Sequence, residues 1–156
     1  MIIEAVDTML REDGEAWAAL CAVLDANPEV NLHDTNSRPW NSRDAYAHLA
    51  RWLEYNAAKI KAEVEAKPLP VAGESVEEVN ARWEAKDTLL SLEEARQWAK
   101  NAYKMRKRTL EAVPISRWGA EIEKIARIEG ASHFRDHLSY ITLVDARPYP
   151  SATEES

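Results

Sequence analysis

The chain has 156 residues, of which 46% are hydrophobic and 30% charged. That is the length and balance of one ordinary globular domain, large enough to bury a core without disulfides and too apolar to stay disordered. A net charge of −7 and a single cysteine exclude two further classes: a nucleic-acid-binding surface usually makes a domain basic, and one cysteine makes neither an intramolecular disulfide nor a cysteine-based zinc site.

Residues 2 to 26 carry Ile2, Val6, Met9, Leu10, Trp17, Leu20, Cys21 and Leu24 at mostly three- and four-residue steps, the helical period. Gly14 weakens the middle of this helix by roughly 1 kcal/mol relative to alanine, so a kink or a fraying first half is expected there. Pro28 closes the segment. After an irregular stretch, Asn41 or Ser42 is a suitable N-cap, and Asp44 brings a negative charge to the first turn. A helix is expected over about 42–66, striped by Ala45, Leu49, Trp52, Leu53, Ile60 and Val64.

Pro68, Pro70 and Gly73 form a loop. Ser75 with Glu78 and Ser91 with Glu94 have capping-box spacing, which predicts a short helix over 76–86 and a long one over 92–112. Ala95, Trp98, Ala99, Ala102, Met105, Leu110 and Val113 stripe the long one, and Pro114 ends it. A last helix is expected over 119–145, followed by a loose tail at 147–156. Residues 1–146 then form a single domain. Only four glycines and seven prolines, with no alternating strand pattern, fit four long helices and an all-α, four-helix bundle.

Histidine is the informative residue. His133 and His137 are four apart, hence one turn apart on one helix face, where two imidazoles can reach one metal ion. Phe134 stands where a zinc protease of the His-Glu-x-x-His type has its catalytic glutamate, which disfavours that chemistry. Four histidines produce such a pair by chance in roughly one sequence in thirteen. Two facts add weight. Both fall on the inward stripe, where an unpaired polar ring is costly, and His48 lies on the inward stripe of another helix. The three are either satisfied core histidines or the ligands of one ion with coordination positions left open, as in a catalytic metal site. Asp44 and Glu129, each four residues before a histidine, are candidates to hold the far nitrogens. Asp44 alternatively serves the helix dipole, and Glu129 is alternatively a fourth ligand or a surface charge.

The segment Trp40-Asn41-Ser42-Arg43-Asp44-Ala45-Tyr46-Ala47-His48-Leu49-Ala50-Arg51-Trp52 resembles the second-helix signature of the DinB-like superfamily, with Ser42 one place late. Val79-Asn80 with Trp83, Ser91-Leu92-Glu93-Glu94-Ala95, and the His133/His137 pair resemble later segments, so the likeness runs from about residue 8 to 145. It implies a down-up-up-down bundle with a long crossover between helices 2 and 3 containing the short extra helix. It also implies a divalent ion, zinc or nickel, held by His48, His133 and His137. Relatives include transferases that use mycothiol, bacillithiol or glutathione, and maleylpyruvate isomerases. The expected function is a metal-dependent transfer of a low-molecular-weight thiol onto an electrophilic small molecule. The alternatives are hydrolysis of a small substrate and a non-catalytic ligand-binding module. A homodimer is implied by the same resemblance.

Other features read more plainly. His33 is a loop residue. The basic stretch Lys100, Lys104, Arg106, Lys107 and Arg108 spreads around its helix and reads as a solvated face. Cys21 reads as core packing. Trp17, Trp98 and Trp118 read as core, Trp40, Trp52 and Trp83 as candidates to flank a cavity, and Tyr140 as a packing residue whose hydroxyl reaches solvent. No run approaches a membrane span, and Met1-Ile2-Ile3-Glu4 lacks the features of a signal peptide, so neither a membrane nor a nucleic acid is expected as partner and the expected compartment is the cytoplasm.

Overall fold

A computed structural model describes residues 2–28, 39–68 and 75–146. The helices are α1 (Ile2–Ala26), α2 (Ser42–Val64), α3 (Val76–Asp87), α4 (Leu92–Glu111), α5 (Ala120–Ile128) and α6 (Ala131–Ala146), with a short 3-10 turn at Ile115–Arg117. No strand occurs among the described residues, and the architecture is a helical bundle. None of the helices is long and apolar enough to cross a membrane. His33 and the 147–156 tail lie outside the described residues.

The helix starts follow local chemistry. Asn41 caps α2: its side chain accepts from the Asp44 N–H at 3.1 Å while Asp44 accepts from the Asn41 N–H at 3.1 Å, a complete capping box. Ser91 and Glu94 form the same box on α4, and Ser75 accepts from the Glu78 N–H on α3. Ser42, the other N-cap candidate, has a different task. Its hydroxyl donates to Leu24 O at 2.6 Å and lies 3.0 Å from Asn27 O, joining the end of α1 to the start of α2. At the far end of α2, Ala66 takes φ 54° and the Ala66 and Lys67 N–H groups return to Glu63 O and Ala62 O, a Schellman stop.

The bundle is organised around α2, which packs most extensively on α4 and also meets α3 and α5, while α1 packs on α6. Ala95, Ala99 and Ala102 are buried on α4, and their small side chains let the α2 and α4 backbones approach. Trp17, Leu20 and Leu24 of α1, Tyr46, Leu49 and Leu53 of α2 and Phe134 and Ile141 of α6 complete the main core. Met9, Ile60, Leu110, Ile125 and Ala126 form a second cluster. Gly14 does not interrupt α1. A methyl group there would stand 3.4 Å from the Tyr103 hydroxyl, so the glycine lies against α4, and Trp17 one turn on stacks on the Tyr103 ring at 4.9 Å.

Two expectations are corrected. The last helix is not continuous over 119–145: it divides into α5 and α6 at Glu129 and Gly130. Met105 is not on the inward stripe of α4 but 42% exposed, and the inward place belongs to Arg106, which is 1% exposed. The two corrections have one cause. The Arg106 guanidinium donates to Ala126 O at 2.6 Å, Asn56 Oδ1 at 2.8 Å and Asp13 Oδ2 at 3.2 Å. Asn56 donates in turn to Ile125 O at 2.8 Å, so two carbonyls at the end of α5 are satisfied by side chains. Asp13 Oδ1 accepts from the Ala131 N–H at 2.8 Å, supplying from α1 the anionic cap that α6 needs. A methyl group on Gly130 would lie 2.7 Å from Asp13 Oδ1, so glycine is required where the carboxylate approaches the backbone.

Candidate metal centre

Sequence spacing places His133 and His137 on one face of α6, and α2 brings His48 to them. The ring centroids of His48 lie 6.1 Å from His133 and 5.1 Å from His137, with 4.6 Å between the last two. One nitrogen from each ring falls within 4.8 Å of the others, against roughly 3.3 Å between two nitrogens on one tetrahedral zinc ion, so binding would draw the rings together. His137 is buried, and His48 and His133 are half-buried.

The orientation of the rings is informative. His133 Nδ1 lies 2.7 Å from Glu129 Oε2, which leaves Nε2 to face inward, 2.9 Å from His137 Nε2. Two imidazole lone pairs repel at that distance, so without an ion one ring must donate a proton to the other. A shared cation would satisfy both. A carboxylate behind an imidazole is the usual support of a metal ligand, because it fixes the tautomer and raises ring basicity. The three-histidine group could therefore hold a metal ion, and the donor set suits zinc, nickel or copper better than calcium or magnesium.

Glu129 reaches this position because the chain breaks beside it. It is the C-cap of α5 and only 8% exposed. The Asp13–Arg106–Asn56 network that makes the break thus also sets the carboxylate one turn before His133. Sequence reasoning missed all three network residues. The signal was present in one of them: 95, 99, 102, 106 and 110 form a strict inward stripe with Arg106 inside it.

Asp44, the other supporting candidate, completes the α2 capping box and takes Arg43 at 3.3 Å. It lines, with His48, Trp40 and Trp83, a small cavity of about 20 Å³, room for about one water. On the other side of His48 a larger cavity of about 380 Å³ opens, lined by His48, His133, Glu129, Trp52, Tyr55 and Lys59 among others. Residues of α3 line both cavities. This helix is held to α2 by Trp52 Nε1–H donating to Asn80 Oδ1 at 2.9 Å and by Arg51 paired with Asp87 at 2.9 and 3.3 Å. Arg51 also lies over the rings of Trp98 and Trp83, at 4.8 and 5.8 Å. Of the aromatic residues singled out from sequence, Trp40, Trp52 and Trp83 line the cavities. Trp17 is buried, Trp98 and Trp118 are half-buried against the core clusters, and Tyr140 is 57% exposed with its ring 6.5 Å from His137.

Cys21 is removed from this chemistry. Burial pushes its thiol up to about 11, away from the thiolate a nucleophile needs. The neighbouring Tyr46 hydroxyl donates to Asp25 Oδ1 at 2.6 Å, and burial, with that bond, raises its pKa too. Lys100, Lys104, Lys107 and Arg108 are solvent-facing or half-buried, as the sequence implied for the basic stretch, and Arg106 departs from it.

Comparison with protein-family models, with curated proteins and with solved structures finds no match to this chain.

Proposed function

We propose that this protein is a metal-dependent enzyme of small-molecule chemistry, and that its reaction transfers a low-molecular-weight thiol onto an electrophile. The observation that carries the reading is the convergence of His48, His133 and His137 nitrogens within 4.8 Å at the wall of a cavity of about 380 Å³, a size suited to a small ligand. The resemblance of Trp40–Trp52 and of the histidine triad to the DinB-like superfamily supplies the reaction class, and with it a zinc or nickel ion and a homodimer.

His48, His133 and His137 would hold a divalent ion, which would supply Lewis acidity that lowers the pKa of a bound thiol toward neutral pH. The chain supplies the rest. Three imidazoles leave part of the coordination sphere to a ligand. Glu129 Oε2 stands 2.7 Å from His133 Nδ1 without an aligned hydrogen bond, and closing that bond would leave the lone pair on Nε2. The rings of Trp52 and Tyr55 present apolar walls that exclude water from the ligand.

The test begins with metal analysis of purified protein. The expected result is one divalent ion per chain, lost in His48→Ala, His133→Ala and His137→Ala, followed by thiol-dependent turnover in a screen of electrophiles. Absence of stoichiometric metal, with the three variants unchanged in stability, overturns the reading. Turnover without added thiol moves the reaction to hydrolysis.

A further inference from the structure

The larger cavity has a charge at each end. Glu129 stands beside His133 at the histidine end. Along α2, His48, Trp52, Tyr55 and Lys59 repeat at three- and four-residue steps, so all four share one face, and all four line this cavity. Their contacts run in series: His48 to Trp52 at 6.4 Å, Trp52 to Tyr55 at 5.6 Å, and the Lys59 ammonium over the Tyr55 ring at 5.0 Å. Tyr55 is seven residues beyond His48, about 10 Å along the helix at 1.5 Å per residue, and the ammonium stands 5.0 Å from the Tyr55 ring, so a span on the order of 10 Å separates it from the imidazole. Among the described residues no carboxylate pairs with Lys59.

We propose that Lys59 receives a carboxylate, so that the ligand of this cavity is a small molecule bearing a carboxylate about 10 Å from the group that meets the histidines. The inference rests on the metal reading for the histidine end and on its own geometry for the lysine end. In a chain of net charge −7 an anion needs a local cation to enter. The Tyr55 face holds the ammonium at low entropic cost, and the walls between contribute apolar contact to the linking carbons. A lysine ammonium is a compact point charge with three donors, enough to pair with one carboxylate.

The probe is 8-mercaptooctanoate, whose sulfur and carboxyl are separated by roughly 10 Å when extended, titrated against zinc-loaded protein by calorimetry and compared with 8-mercapto-1-octanol and with 3-mercaptopropionate. The long acid is expected to bind about fivefold or more tighter than the alcohol, as charge-assisted pairing allows, and the short acid to show no such gain. Lys59→Met abolishes the preference and Lys59→Arg keeps it. A preference under about twofold, or one that survives Lys59→Met, overturns the proposal. Octanoate against 1-octanol on metal-free protein separates the two readings: a Lys59-dependent preference there stands even if the histidines bind no metal.

Discussion

Two polar clusters lie in this bundle about one turn of α6 apart, and they are built on opposite principles. In the Asp13–Arg106–Asn56 cluster each side chain meets a complementary partner: a carboxylate, an amide oxygen and the Ala126 carbonyl around the guanidinium, the Ile125 carbonyl on the Asn56 amide, and a main-chain N–H on the carboxylate. Its side chains are all buried, and only Asn56 reaches the wall of the larger cavity. In the histidine cluster two ring nitrogens confront one another at 2.9 Å, and the group opens on a cavity. A closed, mutually satisfied polar set defines a structure. A set of imidazole nitrogens gathered beside open space could hold a metal ion. The first also serves the second, because it terminates α5 and starts α6 where Glu129 must face His133.

The largest effect that separates them is on stability. Arg106→Met leaves Asp13 buried without its cation and deprives the Ala126 carbonyl of its donor, and is expected to cost about 3–5 kcal/mol in urea unfolding. His133→Ala, measured metal-free in the same way, is expected to cost about 1 kcal/mol or less, since the half-buried ring site opens to solvent. Equal losses in the two variants would erase the distinction.

Gly130→Ala tests the link between the clusters. The added methyl would press on Asp13 Oδ1, and an expected loss of about 2 kcal/mol should come with weaker metal binding, because Glu129 and α6 shift together. A stability loss with unchanged metal affinity would show that the closed cluster does not position the open one.

Glu129→Gln removes the charge behind His133 while keeping its shape. Metal affinity in a competition titration is expected to fall about 10- to 100-fold, with the unfolding midpoint of the metal-free protein little changed. The smallest effect concerns pH. The folded pKa of Cys21, about 11, exceeds the 9.0 of an unfolded thiol. Its contribution to stability is therefore complete below about pH 9 and is lost as pH rises through about 11. Denaturant midpoints of Cys21→Ala should fall less steeply over that window than those of the wild-type chain, whereas Glu129→Gln should leave that slope unaltered.

The helix starts were legible because capping is local chemistry: Asn41, Ser75 and Ser91 each act within three residues. The inward histidines were legible for a similar reason, since a polar ring on an apolar stripe stands out without any tertiary knowledge. Arg106 was not, because an arginine within a basic run reads as solvated unless its partners are known, and Asp13 lies 93 residues away. The α5–α6 break was hidden for the same reason: Gly130 alone is tolerated in a helix, and only the approach of Asp13 makes it obligatory. The cavity depends on where α3 rests, which hydrogen bonds such as Trp52–Asn80 decide and which no periodicity encodes.

The cap on α6 has a kinetic consequence. The N–H of Ala131 is held by a carboxylate 118 residues earlier, so the helix that carries His133 and His137 acquires its start only when the first and last parts of the chain meet. Closing a loop of that length costs more entropy than the shorter closures within the bundle, by about 0.6 kcal/mol for each doubling of loop length. Metal capture in a refolding experiment would then report the final closure of the bundle, appearing after the α2–α4 pair has formed and not before.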